Sequence, residues 1–229
     1  MNGRSPTVFV VDDDAAFLTS IARLLRASGF LVETYGSPTD FLAQLPQGAP
    51  GCVVADLQMP GLSGIELQEA LAKAGHRLPV VFLSGRGDVP TSVTAMRQGA
   101  EDFLTKRAPR ADLLAAVTRA LQRDERERQQ NARQEDLRSR FESLTPRDRE
   151  VLIQVLRGRL NKQIAADLRV DERSVKRHRT SVMSKLQVTS VAELSRLAYE
   201  AATGGATWLH MPESDAADAA DATPPSADP

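Results

Sequence analysis

Five residues of this chain have the types and places that chemistry in parallel α/β proteins requires: Asp12, Asp13, Asp56, Ser84 and Lys106. Asp56 ends the apolar run Val53-Val54-Ala55 and is followed by Leu57-Gln58-Met59-Pro60-Gly61, so a strand-type segment closes on a carboxylate and then breaks into a Pro-Gly turn. A carboxylate at the carboxyl end of a buried parallel strand sits where open α/β sheets bind ligands. There it can act as a nucleophile and accept a phosphoryl group. Asp12 and Asp13 directly follow a second apolar run, Thr7 to Val11. Three carboxylates in one crevice repel each other unless a hard cation lies among them, and Mg²⁺ suits because it takes carboxylates together with phosphate oxygens. Ser84 ends the run Pro79 to Leu83 and can donate its hydroxyl to a phosphate oxygen. Lys106 ends the run starting at Asp102 and supplies a point positive charge.

These residues meet only if the strands carrying them lie side by side. Strand-type runs at Thr7–Val11, Leu31–Tyr35, Cys52–Leu57, Pro79–Leu83 and Asp102–Leu104 alternate with helical spacing at Phe17–Leu25, Pro38–Leu45, Leu62–Ala74, Pro90–Gln98 and about Pro109–Leu121. Asp14 and Ser37 are placed as N-caps, and Gly29 and Gly99 as stops. Five β-α units with near-continuous apolar strands predict a parallel sheet covered on both faces, in the flavodoxin-like order 2-1-3-4-5. That order makes strands one and three neighbours and brings Asp12 and Asp13 toward Asp56.

From Gln122 to Arg140 the apolar spacing stops, and Leu137 is the only large apolar side chain. Without Pro or Gly, this stretch predicts a solvated, salt-bridged helix that extends the one before it, a spacer rather than a self-sufficient coiled coil. Thr145-Pro146 then opens helices at Pro146–Leu156, Lys162–Leu168, Glu172–Leu186 and Val191–Ala201, with Asp171 capping the third. The second and third form a helix-turn-helix pattern. The predicted organisation is residues 1–122, a linker at 123–142, a helical domain at 143–202, and a disordered acidic tail at 203–229.

The formal net charge of −1 conceals an asymmetry. Residues 145–197 carry 12 basic and 6 acidic side chains, about +6, whereas residues 198–229 carry none and 6. A basic block points to a polyanion partner. Arg173, Lys176, Arg177, Thr180 and Ser184 share an outward face opposite Val175, Val182 and Leu186, as a major-groove helix requires. Cys52, the one cysteine, rules out an internal disulfide and reads as a small buried hydrophobe. No apolar run approaches the length of a membrane span, and no signal pattern opens the chain, so a cytoplasmic protein is expected.

Val11-Asp12-Asp13-Asp14, Asp56 with Met59-Pro60-Gly61, Ser84-Gly85 and Phe103-Leu104-Thr105-Lys106 resemble the signature of bacterial response-regulator receiver domains, the CheY-like fold, over roughly residues 6–122. Leu144-Thr145-Pro146-Arg147, Glu150-Val151-Leu152, Asn161 to Ala165 and Val175 to His178 are similar to the LuxR/NarL-type helix-turn-helix, and the combination resembles the FixJ subfamily. The resemblance implies that Asp12, Asp13, Asp56 and the Gln58 backbone carbonyl hold Mg²⁺. It implies that a sensor histidine kinase phosphorylates Asp56, and that Ser84 and Phe103 form a switch pair. It implies that Lys176, Arg177 and Thr180 read bases of double-stranded promoter DNA, while Arg173, Arg179, Asn161, Lys162 and Lys185 touch phosphates. His178 is read as a helix-face residue at the DNA backbone rather than a metal ligand. RNA polymerase and, on phosphorylation, a second copy of the chain are the further partners implied; no membrane and no enzymatic activity beyond the receiver's own phosphoryl chemistry are expected.

Two departures from the family pattern carry expectations. Relatives follow the lysine with a cis proline, whereas Arg107 stands here; a cis bond before a non-proline residue costs roughly 2.5–4 kcal/mol, so a trans Lys106–Arg107 bond or a strained, displaced Lys106 is predicted. Relatives often carry glycine where Arg169 and Gln187 stand, at helix ends that need a left-handed residue. The alternatives to a phosphorylation-driven transcription factor are a DNA binder whose receiver serves only for docking, and a phosphate sink for a kinase.

Overall fold

The computed structural model describes residues 5–85 and 89–203, with the side chains of 89–91 left aside. The tail expected to be disordered falls outside those residues, apart from its first position. Packing divides the chain between Gln130 and Asn131.

In the first unit, β1 (Thr7–Val11), β2 (Leu31–Tyr35), β3 (Gly51–Asp56), β4 (Val80–Ser84) and β5 (Asp102–Thr105) form one parallel sheet in the order β2-β1-β3-β4-β5. The strands alternate, with helices α1 (Ala15–Ala27), α2 (Pro38–Gln44), α3 (Gly64–Lys73), α4 (Val89–Arg97) and α5 (Arg110–Glu142) after them in turn. Strand period two divides the core: Phe9, Val11, Val53, Ala55, Val80 and Phe82 pack with Phe41, Leu67, Leu71 and Ala95, whereas Val8, Val10, Cys52, Val54, Val81 and Leu83 pack with Ile21, Leu25, Leu113 and Val117. Cys52 is fully buried, as its small apolar character predicts. Asp14 caps α1 by accepting from the Ala16 and Phe17 amides, and Ser37 caps α2 from Asp40. At Gly51, the φ is +145° and an added Cβ would lie 1.9 Å from the Thr7 carbonyl oxygen, so no side chain fits where β3 begins beside β1.

Helix α5 runs unbroken through the stretch predicted as a helical spacer. That stretch is not uniformly solvated. Asp124 is buried and accepts the Gly51 amide at 2.9 Å, and Arg128 pairs with Asp124 at 3.0 Å. Farther along, Leu137 and Phe141 are buried in the core of the second unit.

That second unit holds α6 (Pro146–Leu156), α7 (Asn161–Asp167), α8 (Glu172–Leu186) and α9 (Val191–Thr203), packed around Leu152, Ile164, Val175, Val182, Leu186 and Leu194. Thr145 and Asp148 cap α6 reciprocally, and Asp171 caps α8 by accepting from Ser174. Arg169 and Gln187 adopt φ of 53° and 55°, the left-handed conformation expected at these two helix ends. Arg169→Gly and Gln187→Gly are each expected to stabilise the unit by about 1 kcal/mol, readable as a raised midpoint in chemical denaturation.

Candidate functional site: a carboxylate cluster and a basic helix

Strand register assembles the first site. Val11 pairs with Ala55, so the next residues, Asp12 and Asp56, leave the sheet at the same level. Asp56 pairs with Leu83, which puts Ser84 one step beyond, and Ser84 pairs with Thr105, which puts Lys106 one step beyond again. Gly64 lets α3 approach: its amide donates to the Leu57 carbonyl at 3.0 Å, and a Cβ there would lie 2.5 Å from the Asp56 carbonyl oxygen.

Carboxylate oxygens of Asp12, Asp13 and Asp56 lie within 4.8 Å of one another. Asp12 and Asp56 are buried and Asp13 is exposed, so the cluster opens to solvent on one side. Asp56 Oδ1 accepts the Leu57 amide at 2.8 Å, and Asp12 Oδ1 accepts the Asp14 amide at 2.9 Å. Lys106 Nζ bridges the remaining oxygens, 2.6 Å from Asp12 Oδ2 and 3.1 Å from Asp56 Oδ2, and rides 4.6 Å above the Phe17 ring. The Lys106 amide also donates to the Ser84 carbonyl at 2.8 Å. Lys106 is therefore not displaced by the arginine after it, and no cis peptide occurs among the described residues.

The charges are not balanced. Burial pushes the Asp12 carboxyl above its usual range even with Lys106 hydrogen-bonded to it. Burial pulls the Lys106 ammonium down, and the hydrogen bonds to Asp12 and Asp56 more than reverse it. Among the described residues one ammonium, Lys106, faces three carboxylates and leaves negative charge, and an all-oxygen donor set of this kind suits a hard cation. Gln58 lies exposed on the loop directly after the β3 end, at the same edge. Ser84 is buried, and Phe103 is half-buried against the core cluster that contains Phe82.

In the second unit, α8 presents Arg173, Lys176, Arg177, Thr180 and Ser184 to solvent and buries Val175, Val182 and Leu186. Lys162 is exposed on α7. Other residues expected at phosphates have partners inside the unit. Arg179 donates to Asn161 Oδ1 at 2.9 Å, and Lys185 Nζ lies 2.7 Å from Asp148 Oδ2. His178, read at the sequence level as a backbone contact, has its Nδ1 2.9 Å from Asp148 Oδ1. Asp148 carries no mark of function in the sequence. A buried acid near the beginning of α6 carries no sequence mark of partners 30 to 37 residues away.

Burial opposes the charged form of Asp148, yet Lys185, His178 and Thr145 hold its carboxyl far below the ordinary range. Such a group stabilises the fold above the unfolded carboxylate pKa, about 3.9, and loses that contribution as pH falls toward the folded value. The midpoint of thermal unfolding of the second unit is therefore expected to drop as pH falls below about 4. In Asp148→Asn that slope is expected to flatten.

Comparison with known proteins covers both units. Residues 8–118 match the response regulator receiver domain, and residues 142–198 match the luxR family of bacterial regulatory proteins. Response regulator protein TmoT of Ectopseudomonas mendocina is 40% identical over 197 residues, 86% of this chain and 90% of that one. Transcriptional regulatory protein FixJ of Bradyrhizobium diazoefficiens is 39% identical, covering 85% and 95%. A solved structure of response regulator StyR superposes with a TM-score of 0.83 at 43% identity, over 86% of this chain and all of that one. The chain thus belongs to the two-component response regulators of the FixJ type, a receiver joined to a LuxR-type DNA-binding domain that regulates transcription. Among the described residues no helix is long and apolar enough to cross a membrane.

Proposed function

We propose that Asp56 accepts a phosphoryl group from a sensor histidine kinase and that this event controls dimerisation and promoter binding in the cytoplasm. The observation that carries the reading is the meeting of Asp12, Asp13 and Asp56 within 4.8 Å with Lys106 bridging two of them. An Asp56 oxygen attacks phosphorus, the bond to the kinase imidazole breaks, and the aspartyl phosphate forms. Mg²⁺, held by Asp12, Asp13, Asp56 and the Gln58 carbonyl, would offset the negative charge of carboxylates and phosphoryl oxygens. Lys106 transfers its hydrogen bond from Asp56 Oδ2 to a phosphoryl oxygen, and Ser84 donates its hydroxyl to another. The room left by Ser84 lets Phe103 turn inward, changing the α4–β5 surface. Two copies then pair, place their α8 helices on two half-sites and recruit RNA polymerase. The chain's only catalysis is its own phosphoryl transfer and dephosphorylation.

Lys106 stands in contact distance of both acids although Arg107 follows it, which supports a receiver that works rather than one retained for docking. Promoter occupancy in cells carrying the kinase tests the proposal: Asp56→Asn is expected to abolish the stimulus-dependent rise, and wild-type occupancy by that variant would overturn it.

A further inference from the structure

Asp148, in the first turn of α6, is 2% exposed and takes a stripe of donors from α8. His178 Nδ1 lies 2.9 Å from its Oδ1, while Ser181 Oγ and Lys185 Nζ reach its Oδ2 at 3.3 and 2.7 Å. The Thr145 amide reaches Oδ2 at 3.3 Å. Residues 178, 181 and 185 follow one another at helical spacing, so they lie along one side of α8. The apolar stripe of Val175, Val182 and Leu186 sets which face of α8 is buried through contacts that carry no direction. Hydrogen bonds to a buried carboxylate are directional and tie particular atoms together, so a slide of α8 would leave Asp148 without its donors. The same contacts occupy Lys185, whose side chain is 32% exposed, and half-bury His178, while Arg173, Lys176 and Arg177 remain exposed.

We propose that Asp148 is a positioning residue for DNA reading: it sets the axial register of α8, and Lys185 and His178 serve that clamp instead of the phosphate backbone. This rests on the reading that the exposed face of α8 enters the groove. A clamp of this kind belongs to specificity. Phosphate contacts on the exposed face tolerate small shifts of α8, whereas bidentate contacts to base edges do not.

The test uses the full-length chain, a duplex recovered by selection from random-sequence DNA, and a scrambled duplex, with affinity followed against salt. Each lost phosphate contact lowers the slope of log affinity against log salt by about 0.9. Arg173→Met is expected to show that loss, and Lys185→Met to leave the slope unchanged. Asp148→Asn combined with Lys185→Met removes both charges together, so no unpaired buried carboxylate remains if Lys185→Met alone fails to fold. The double variant is expected to keep the slope while its selected-to-scrambled affinity ratio falls by about tenfold, the worth of one base contact. A slope lowered by about 0.9 in either Lys185 variant, or an unchanged ratio in the double variant, overturns the proposal. An unchanged slope in Arg173→Met instead removes the groove reading, and the proposal with it.

Discussion

Incubated with Mg²⁺ and a small acyl phosphate, the chain is expected to gain the mass of one phosphoryl group on Asp56, labile to hydroxylamine, and Asp56→Asn to gain none. Asparagine keeps the size of the side chain and its ability to accept from the Leu57 amide, now 2.8 Å from Oδ1. It removes the negative oxygen that attacks phosphorus, and an amide is no nucleophile toward a phosphate. The fold is expected to survive, because Asp56 is one of three mutually repelling acids. Lys106→Met probes the other half of the site. Among the described residues its ammonium is the positive group bonded to both buried acids, at 2.6 and 3.1 Å. Removing a preorganised donor of this sort slows reaction by about 10²–10³-fold, so slow but measurable incorporation at the same residue is the expected outcome for that variant. Timed intact-mass spectra distinguish the two variants: a flat trace for asparagine, a delayed one for methionine.

The second large effect lies in the other domain. Arg177→Ala and Lys176→Ala are each expected to weaken binding to a selected duplex by about 5–150-fold, equivalent to 1–3 kcal/mol per base contact, with a much smaller loss on scrambled DNA. Both side chains lie on the solvent face of α8. Among the described residues the one ion pair to either is Lys176 to Glu172 at 3.4 Å, both well exposed, and such a surface pair contributes little and is easily given up. Lys162→Ala, on α7, is expected to weaken selected and scrambled duplexes alike, as a phosphate contact does. Competition binding at two salt concentrations separates the two behaviours.

The sheet and its carboxylate edge were legible because parallel topology is regular. Once apolar runs ending in Asp12, Asp56, Ser84 and Lys106 alternate with helices, the strand order follows, and register places those ends together. Left-handed Arg169 and Gln187 were legible through the family resemblance, because relatives often carry glycine at these two helix ends. What the sequence hid were pairings across long separations. The Asp124–Gly51 bond spans 73 residues and gives the charged helix a buried position that no apolar periodicity marks. Helical spacing told which face of α8 is exposed, but not that Arg179 would meet Asn161 or that Lys185 and His178 would turn to Asp148. Those contacts depend on the angle between helices, and the periodicity of a single helix carries no information about it. Leu137 and Phe141 escaped for a related reason: two apolar residues in a charged stretch make too narrow a stripe to predict what they bury against.

The claim on which the rest depends is that occupancy of Asp56 changes the association of the chain. Sedimentation of the full-length protein with Mg²⁺, before and after addition of beryllofluoride, a phosphoryl mimic, measures this directly. The account predicts a shift from monomer to dimer that Asp56→Asn does not make. Equal masses with and without the mimic in the wild-type chain would contradict it.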